Sequence, residues 1–112
     1  MAIIERIIEV EASAEKLYQI VSDIERYPSF LTWCDSSEIL SIEGHLVTAS
    51  LSINLLGFKS SITTLNRLRR PEKIEMSLQE GPFNSFKGTW LFEVVSLEKT
   101  RVSYTMEYQI SN

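Results

Sequence analysis

Alternation between apolar and polar positions is clearest in the last third of the chain. Phe86, Gly88, Trp90, Phe92 and Val94 occupy every second position, and Val102, Tyr104, Met106, Tyr108 and Ile110 repeat the pattern after the polar break Glu98-Lys99-Thr100. Between the second set lie Arg101, Ser103, Thr105, Glu107 and Gln109. A period of two with one apolar and one polar side predicts antiparallel strands over 85–95 and 100–110, wetted on one face. Further strands are predicted over 37–43 and 46–54, which flank the two-residue hairpin signal Gly44-His45. Another is expected over 58–68 after Gly57. A further one, 73–79, follows the turn Arg69-Arg70-Pro71-Glu72 and ends at the break Gly81-Pro82. Residues 3–10 (IIERIIEV) are β-branched and punctuated by charge, which reads as an opening strand.

One segment departs from this period. Ser13 suits a helix N-cap, and Leu17, Ile20, Val21 and Ile24 recur at the spacing of one helical face, for a helix of about three turns. Pro28 forbids its smooth continuation, so residues 23–30 are expected to be irregular or briefly helical. The order is strand, helix, then six strands in a meander, which predicts an α+β domain with a curved antiparallel sheet of about seven strands.

This order leaves a covering problem. Strands of this length span about 30 Å, whereas a helix of ten residues spans about 15 Å. One short helix cannot cover the apolar side of such a sheet. A second helix, a ligand or another chain is needed over Trp90, Phe92, Tyr104 and Met106.

Composition narrows the partners. With 112 residues the chain fits one domain, 1–112, and its 44% hydrophobic and 23% charged residues are ordinary for a globular fold. A net charge of −4 lacks the positive field that attracts nucleic acid. The single cysteine, Cys34, excludes an internal disulfide and suits a reducing compartment. Residues 1–6 do not look like a signal peptide, and no apolar run approaches the ~20 residues of a membrane span.

Particular residues also carry a resemblance. The segment Tyr27-Pro28-Ser29-Phe30-Leu31-Thr32-Trp33-Cys34 resembles the YPxFLPWC stretch of the coenzyme Q-binding protein family, which includes the bacterial ribosome association toxin. That family sits in the START-like superfamily of polyketide cyclases and lipid transport proteins. Phe58-Lys59 with Thr63-Thr64, Gly81-Pro82-Phe83, Gly88-Thr89-Trp90-Leu91-Phe92 and Tyr108-Gln109-Ile110-Ser111 continue the match in order, with Thr32 standing where the family has proline. The resemblance implies a helix-grip fold, in which a long C-terminal helix lies across a curved sheet and closes a hydrophobic tunnel. Residues 1–112 are expected to lack that helix. It further implies a non-enzymatic carrier for a polyprenyl quinone or other lipid that supports respiratory electron transport. The alternatives it implies are a toxin-like protein that binds the large ribosomal subunit and a polyketide cyclase or dehydratase.

The candidate ligand-binding residues are Phe30, Leu31, Trp33, Phe58, Ile62, Phe83, Trp90, Phe92, Tyr104 and Met106. Singly, each reads as ordinary core; together, the covering problem makes them a cavity lining. Trp33, Trp90 and Tyr104 carry polar atoms suited to a quinone carbonyl. Residues 28–34 read either as a gate or as a plug at the end of the sheet. No catalytic or metal site is expected: Cys34 needs a base, the only histidine is His45 in a hairpin turn, and zinc wants three or four ligands. Arg67, Arg69, Arg70 and Lys73 form one basic cluster, a solvated turn by default, with lipid head groups or ribosomal RNA phosphates as alternatives. Expected partners are a hydrophobic small molecule in place of any cofactor, a transient membrane surface, a ribosomal subunit, and a second copy through the open sheet face. The expected location is the bacterial cytoplasm, at most peripheral to the inner membrane.

Overall fold

The structure is a computed structural model that describes residues 1–111. Among these residues, β1 (Ala2–Val10), β2 (Cys34–Glu43), β3 (Leu46–Leu55), β4 (Phe58–Arg69), β5 (Lys73–Glu80), β6 (Phe83–Ser96) and β7 (Lys99–Ile110) form one antiparallel sheet. Its order is β1-β7-β6-β5-β4-β3-β2. β2 to β7 run as the expected meander, while β1 pairs with β7, so β1 and β2 are the two edges. The chain between those edges must therefore cross the sheet, and it crosses on the inner, apolar side.

The crossing holds α1 (Ala14–Val21) and a 3-10 turn (Ile24–Ser29). Ser13 caps α1 by accepting a hydrogen bond from the Lys16 N–H at 3.2 Å. The helix is shorter than its apolar spacing predicts: it stops at Val21, and Ile24 opens the 3-10 turn. Its buried residues are Ala14 and Tyr18, with Leu17 and Val21 half-buried, whereas Ile20 is exposed. Tyr18 sets this orientation. Its ring meets Phe92 edge-on at 5.8 Å and lies under the Arg70 guanidinium.

Two hydroxyls pin the crossing to the sheet. Thr100 Oγ1 donates to the Ala12 carbonyl at 2.8 Å, and Ser37 Oγ donates to the Ile24 carbonyl at 2.7 Å. The first satisfies a carbonyl in the irregular backbone before α1, and the second ties the 3-10 turn to β2.

Beneath the crossing lies a filled core built from the inner faces of β3 to β7. β3 buries every second residue, Val47, Ala49, Leu51, Ile53 and Leu55. Ile62, Ile74, Met76, Phe86 and Met106 continue the layer and are nearly inaccessible. Val94, expected on this face, is exposed where β6 enters a register shift between Val94 and Ser96. Gly44-His45 forms the expected two-residue turn, with Glu43 paired to Leu46 and Gly44 at φ +60°.

Candidate ligand-binding cleft

The segment that follows the 3-10 turn is fixed by backbone hydrogen bonds at each step. Leu31 N–H donates to the Tyr27 carbonyl at 2.8 Å, Cys34 N–H to Leu31 at 3.1 Å, and Asn54 N–H to Trp33 at 2.8 Å. The last bond ties this segment to the β3–β4 hairpin. That hairpin turns through Leu56 and Gly57 at φ +52° and +92°, and Asn54 Oδ1 accepts from Gly57 N–H at 3.0 Å. Positive φ at both turn positions matches the twist of the flanking strands. Leu56 is an unusual occupant, because the left-handed region costs a non-glycine residue roughly 1–2 kcal/mol. It is also fully exposed.

Between this hairpin, residues 30–33 and the inner side of β1 lies an open cleft of about 900 Å³. Its walls are residues 2–6 of β1, Glu5 and Arg6 included, Tyr104 and Tyr108 from β7, Phe30 to Trp33, and Asn54 to Gly57. The size is that of a small-molecule pocket, and the lining mixes apolar and aromatic residues with Glu5, Arg6, Thr32 and Asn54. Register explains the β1 wall: Ala2, Ile4, Arg6 and Ile8 pair with Tyr108, Met106, Tyr104 and Val102, all buried on the inner face. Opposite residues of an antiparallel pair point to the same side.

Of the residues expected to line a pocket, Phe30, Leu31, Trp33 and Tyr104 face this cleft. The structure places the others beneath or beside it. Ile62, Met106, Phe83, Trp90 and Phe92 are packed into the core, and Phe58 is half-buried against Phe83 at 5.9 Å. Trp90 packs on Tyr104 at 4.4 Å and meets Phe30 edge-on at 6.2 Å, so it supports the cleft floor from below. Sequence reasoning missed Ala2, Ile4, Arg6, Leu55 and Leu56. The signal for the β1 residues was their even spacing, but it becomes readable only once β1 is known to lie beside β7.

The buried polar atoms are poorly matched with partners. The indole N–H groups of Trp33 and Trp90 and the Tyr27 hydroxyl are enclosed without an acceptor or donor. The Tyr104 hydroxyl donates to the Met106 sulfur at 3.3 Å, a weak acceptor. Burial raises the Tyr104 hydroxyl above the usual tyrosine range, with the adjacent Trp33 indole offsetting part of the push. Burial raises Tyr27 in the same direction, and the Cys34 thiol is pushed up to about 11 by burial and by the neighbouring Asp35. These groups therefore stay protonated at neutral pH. Cys34 opens β2 and His45 lies in the turn that closes it, ten residues of strand away.

The basic cluster is largely spent on internal pairs. Arg69 meets Glu75 at 3.1 Å, Lys73 meets the same carboxylate at 3.8 Å, and Arg70 pairs with Glu15. Among the described residues, no helix is long and apolar enough to cross a membrane.

Comparison with known proteins bears on this cleft. Residues 10–112 match the family described as polyketide cyclase / dehydrase and lipid transport. The chain is 35% identical over 103 residues to the ribosome association toxin RatA of Escherichia coli, covering 92% of this chain and 65% of the relative's length. It is 36% identical over 104 residues to RatA of Vibrio cholerae, covering 92% of this chain and 72% of that protein. Among solved structures, a START superfamily protein from Mycobacterium smegmatis superposes with a TM-score of 0.84 at 20% identity, over 98% of this chain and 78% of the other. The Zhui aromatase/cyclase from Streptomyces sp. R1128 superposes with a TM-score of 0.86 at 18% identity, over 99% and 69%. These two show a shared fold.

Proposed function

The chain belongs to the polyketide cyclase / dehydrase and lipid transport family, and from that premise we propose that it is a non-enzymatic binder and carrier of a long-chain hydrophobic ligand, a lipid or a polyprenyl quinone. One observation carries this reading: an open cleft of about 900 Å³ beside an otherwise filled core, in which apolar and aromatic residues are joined by Glu5, Arg6, Thr32 and Asn54. Its apolar part is costly to leave in water and is relieved by an apolar ligand. Phe30, Leu31, Ile4 and Tyr108 would hold the chain, with Leu56 at the lip. A fully exposed leucine in strained backbone is a poor choice for stability. It suits a residue that meets a lipid surface when ligand is taken up. The same reading places the protein in the bacterial cytoplasm, in transient contact with the membrane.

Native mass spectrometry of freshly purified protein, followed by organic extraction, tests the proposal. A bound lipid or prenyl quinone supports it. Protein that is consistently empty, and stays empty after incubation with lipid vesicles, would overturn it.

Relatives named ribosome association toxins motivate a second reading, in which the domain binds the large ribosomal subunit. The pairing of Arg69, Arg70 and Lys73 with glutamates leaves few free cations in their cluster to meet phosphate. Co-sedimentation with isolated subunits at low salt separates the two. Retention on the subunits with no extractable ligand favours the second.

A further inference from the structure

Arg6 is the one basic side chain on the cleft wall. Strand alternation sends Glu5, the other charged residue there, to the outer face, where its partner is Thr105. Arg6 instead shares the inner face with Tyr104, its register partner, and with Ile4 and Ile8. Its Nη1 donates to the Glu5 carbonyl at 2.8 Å, and no carboxylate among the described residues lies within ion-pair distance of it. Arg101 on the neighbouring β7 behaves differently: facing outward, it reaches Glu9 at 3.2 Å.

Arg6 is exposed at the rim of the cleft, so its guanidinium is free to meet a ligand that enters there. An apolar position would extend the Ala2-Ile4-Ile8 face, and a neutral polar residue would be enough for solubility. Arginine adds a planar fork of donors that fits an oxyanion in two-point fashion.

We infer that the ligand held in this cleft is an acidic amphiphile, with an oxyanion head group paired to Arg6 and its hydrocarbon running toward Leu31 and Leu55. The inference rests on the carrier reading and narrows it, favouring an acidic lipid over a neutral quinone. The head group sits at the solvent side of β1, where its charge stays partly hydrated, and the chain is drawn away from water.

Quenching of tryptophan fluorescence by a brominated lipid tests this, because Trp33 lines the cleft. Dibromostearic acid and its methyl ester are titrated into wild-type protein, Arg6→Gln, Arg6→Lys and the control Arg26→Gln, all checked for native circular dichroism. The acid is expected to bind wild type about tenfold more tightly than the ester, the scale of one charge-assisted hydrogen bond near a surface. That ratio should fall close to one in Arg6→Gln, persist in part in Arg6→Lys, and remain at the wild-type value in Arg26→Gln. It should also shrink as salt rises. Equal binding of acid and ester by wild type would overturn the inference while leaving the carrier reading intact. So would a ratio that survives in Arg6→Gln. If wild type binds neither probe, the carrier reading fails and the inference falls with it.

Discussion

β1 and β3 are strands of nearly equal length in the same sheet, and both are rich in aliphatic residues, yet their fates differ. β3 buries every second residue, with Ala49 and Leu51 wholly inaccessible. β1 buries none fully: on its inner face Ala2 and Ile4 are half-buried and Ile8 is more than half exposed. Local propensity cannot account for this, because β-branched residues are if anything denser in β1. The difference lies in what covers each inner face. The inner side of β3 packs wholly within the hydrophobic core, whereas the inner side of β1 borders the cleft. A sheet therefore presents the same kind of surface as core or as binding wall, depending on what packs against it.

Substitution should expose the contrast directly. Leu51→Ala opens a cavity in close-packed surroundings and is expected to cost about 3 kcal/mol in chemical denaturation. Ile8→Ala on the same inner side of β1 should cost less than about 0.5 kcal/mol in ligand-free protein. Similar losses at the two sites would mean that the β1 face is as well packed as the β3 face.

The covered region should also resist a smaller intrusion. Gly81 has φ +155°, and a Cβ there would approach Ile62 Cγ2 to 2.6 Å. Gly81→Ala is thus expected to lose about 2 kcal/mol through overpacking and backbone strain. At the cleft lip the sign reverses. Leu56→Asn relieves left-handed strain and should raise stability by about 1 kcal/mol, while slowing ligand uptake from vesicles. A stabilised variant with unchanged uptake would separate the lip from function.

The last effect is one of pH. The Cys34 thiol has its usual value of 9.0 pushed up to about 11 in the fold. Folding therefore favours the neutral thiol. That contribution is fully present below pH ~9 and is lost as pH rises toward ~11. Cys34→Ala should flatten the alkaline side of the stability profile slightly, measured by urea midpoints between those limits.

Much of the fold was legible because strands with one wet face announce themselves by alternation, as Val102 to Ile110 do. The hairpin at Gly44-His45 was equally readable from its turn chemistry. The extent of α1 was not: Ile20 fits the apolar spacing, but Tyr18 wins the inner position because Phe92 and Arg70 are there to receive it. The cleft was only half visible. Phe30, Leu31, Trp33 and Tyr104 are aromatic or apolar and stand out, whereas Ala2, Ile4 and Arg6 acquire meaning only from the β1–β7 pairing, a long-range contact that no local pattern encodes.

Hydrogen exchange with and without a saturating long-chain fatty acid tests the central claim most directly, namely that the inner face of β1 is a ligand wall. The account predicts slower exchange of β1, of residues 30–33 and of the cleft-lining residues 54–57 on ligand addition, with the amides of residues 46–53 of β3 and of β4 unchanged. Protection that appears in residues 46–53 and β4 instead, or nowhere, would contradict it.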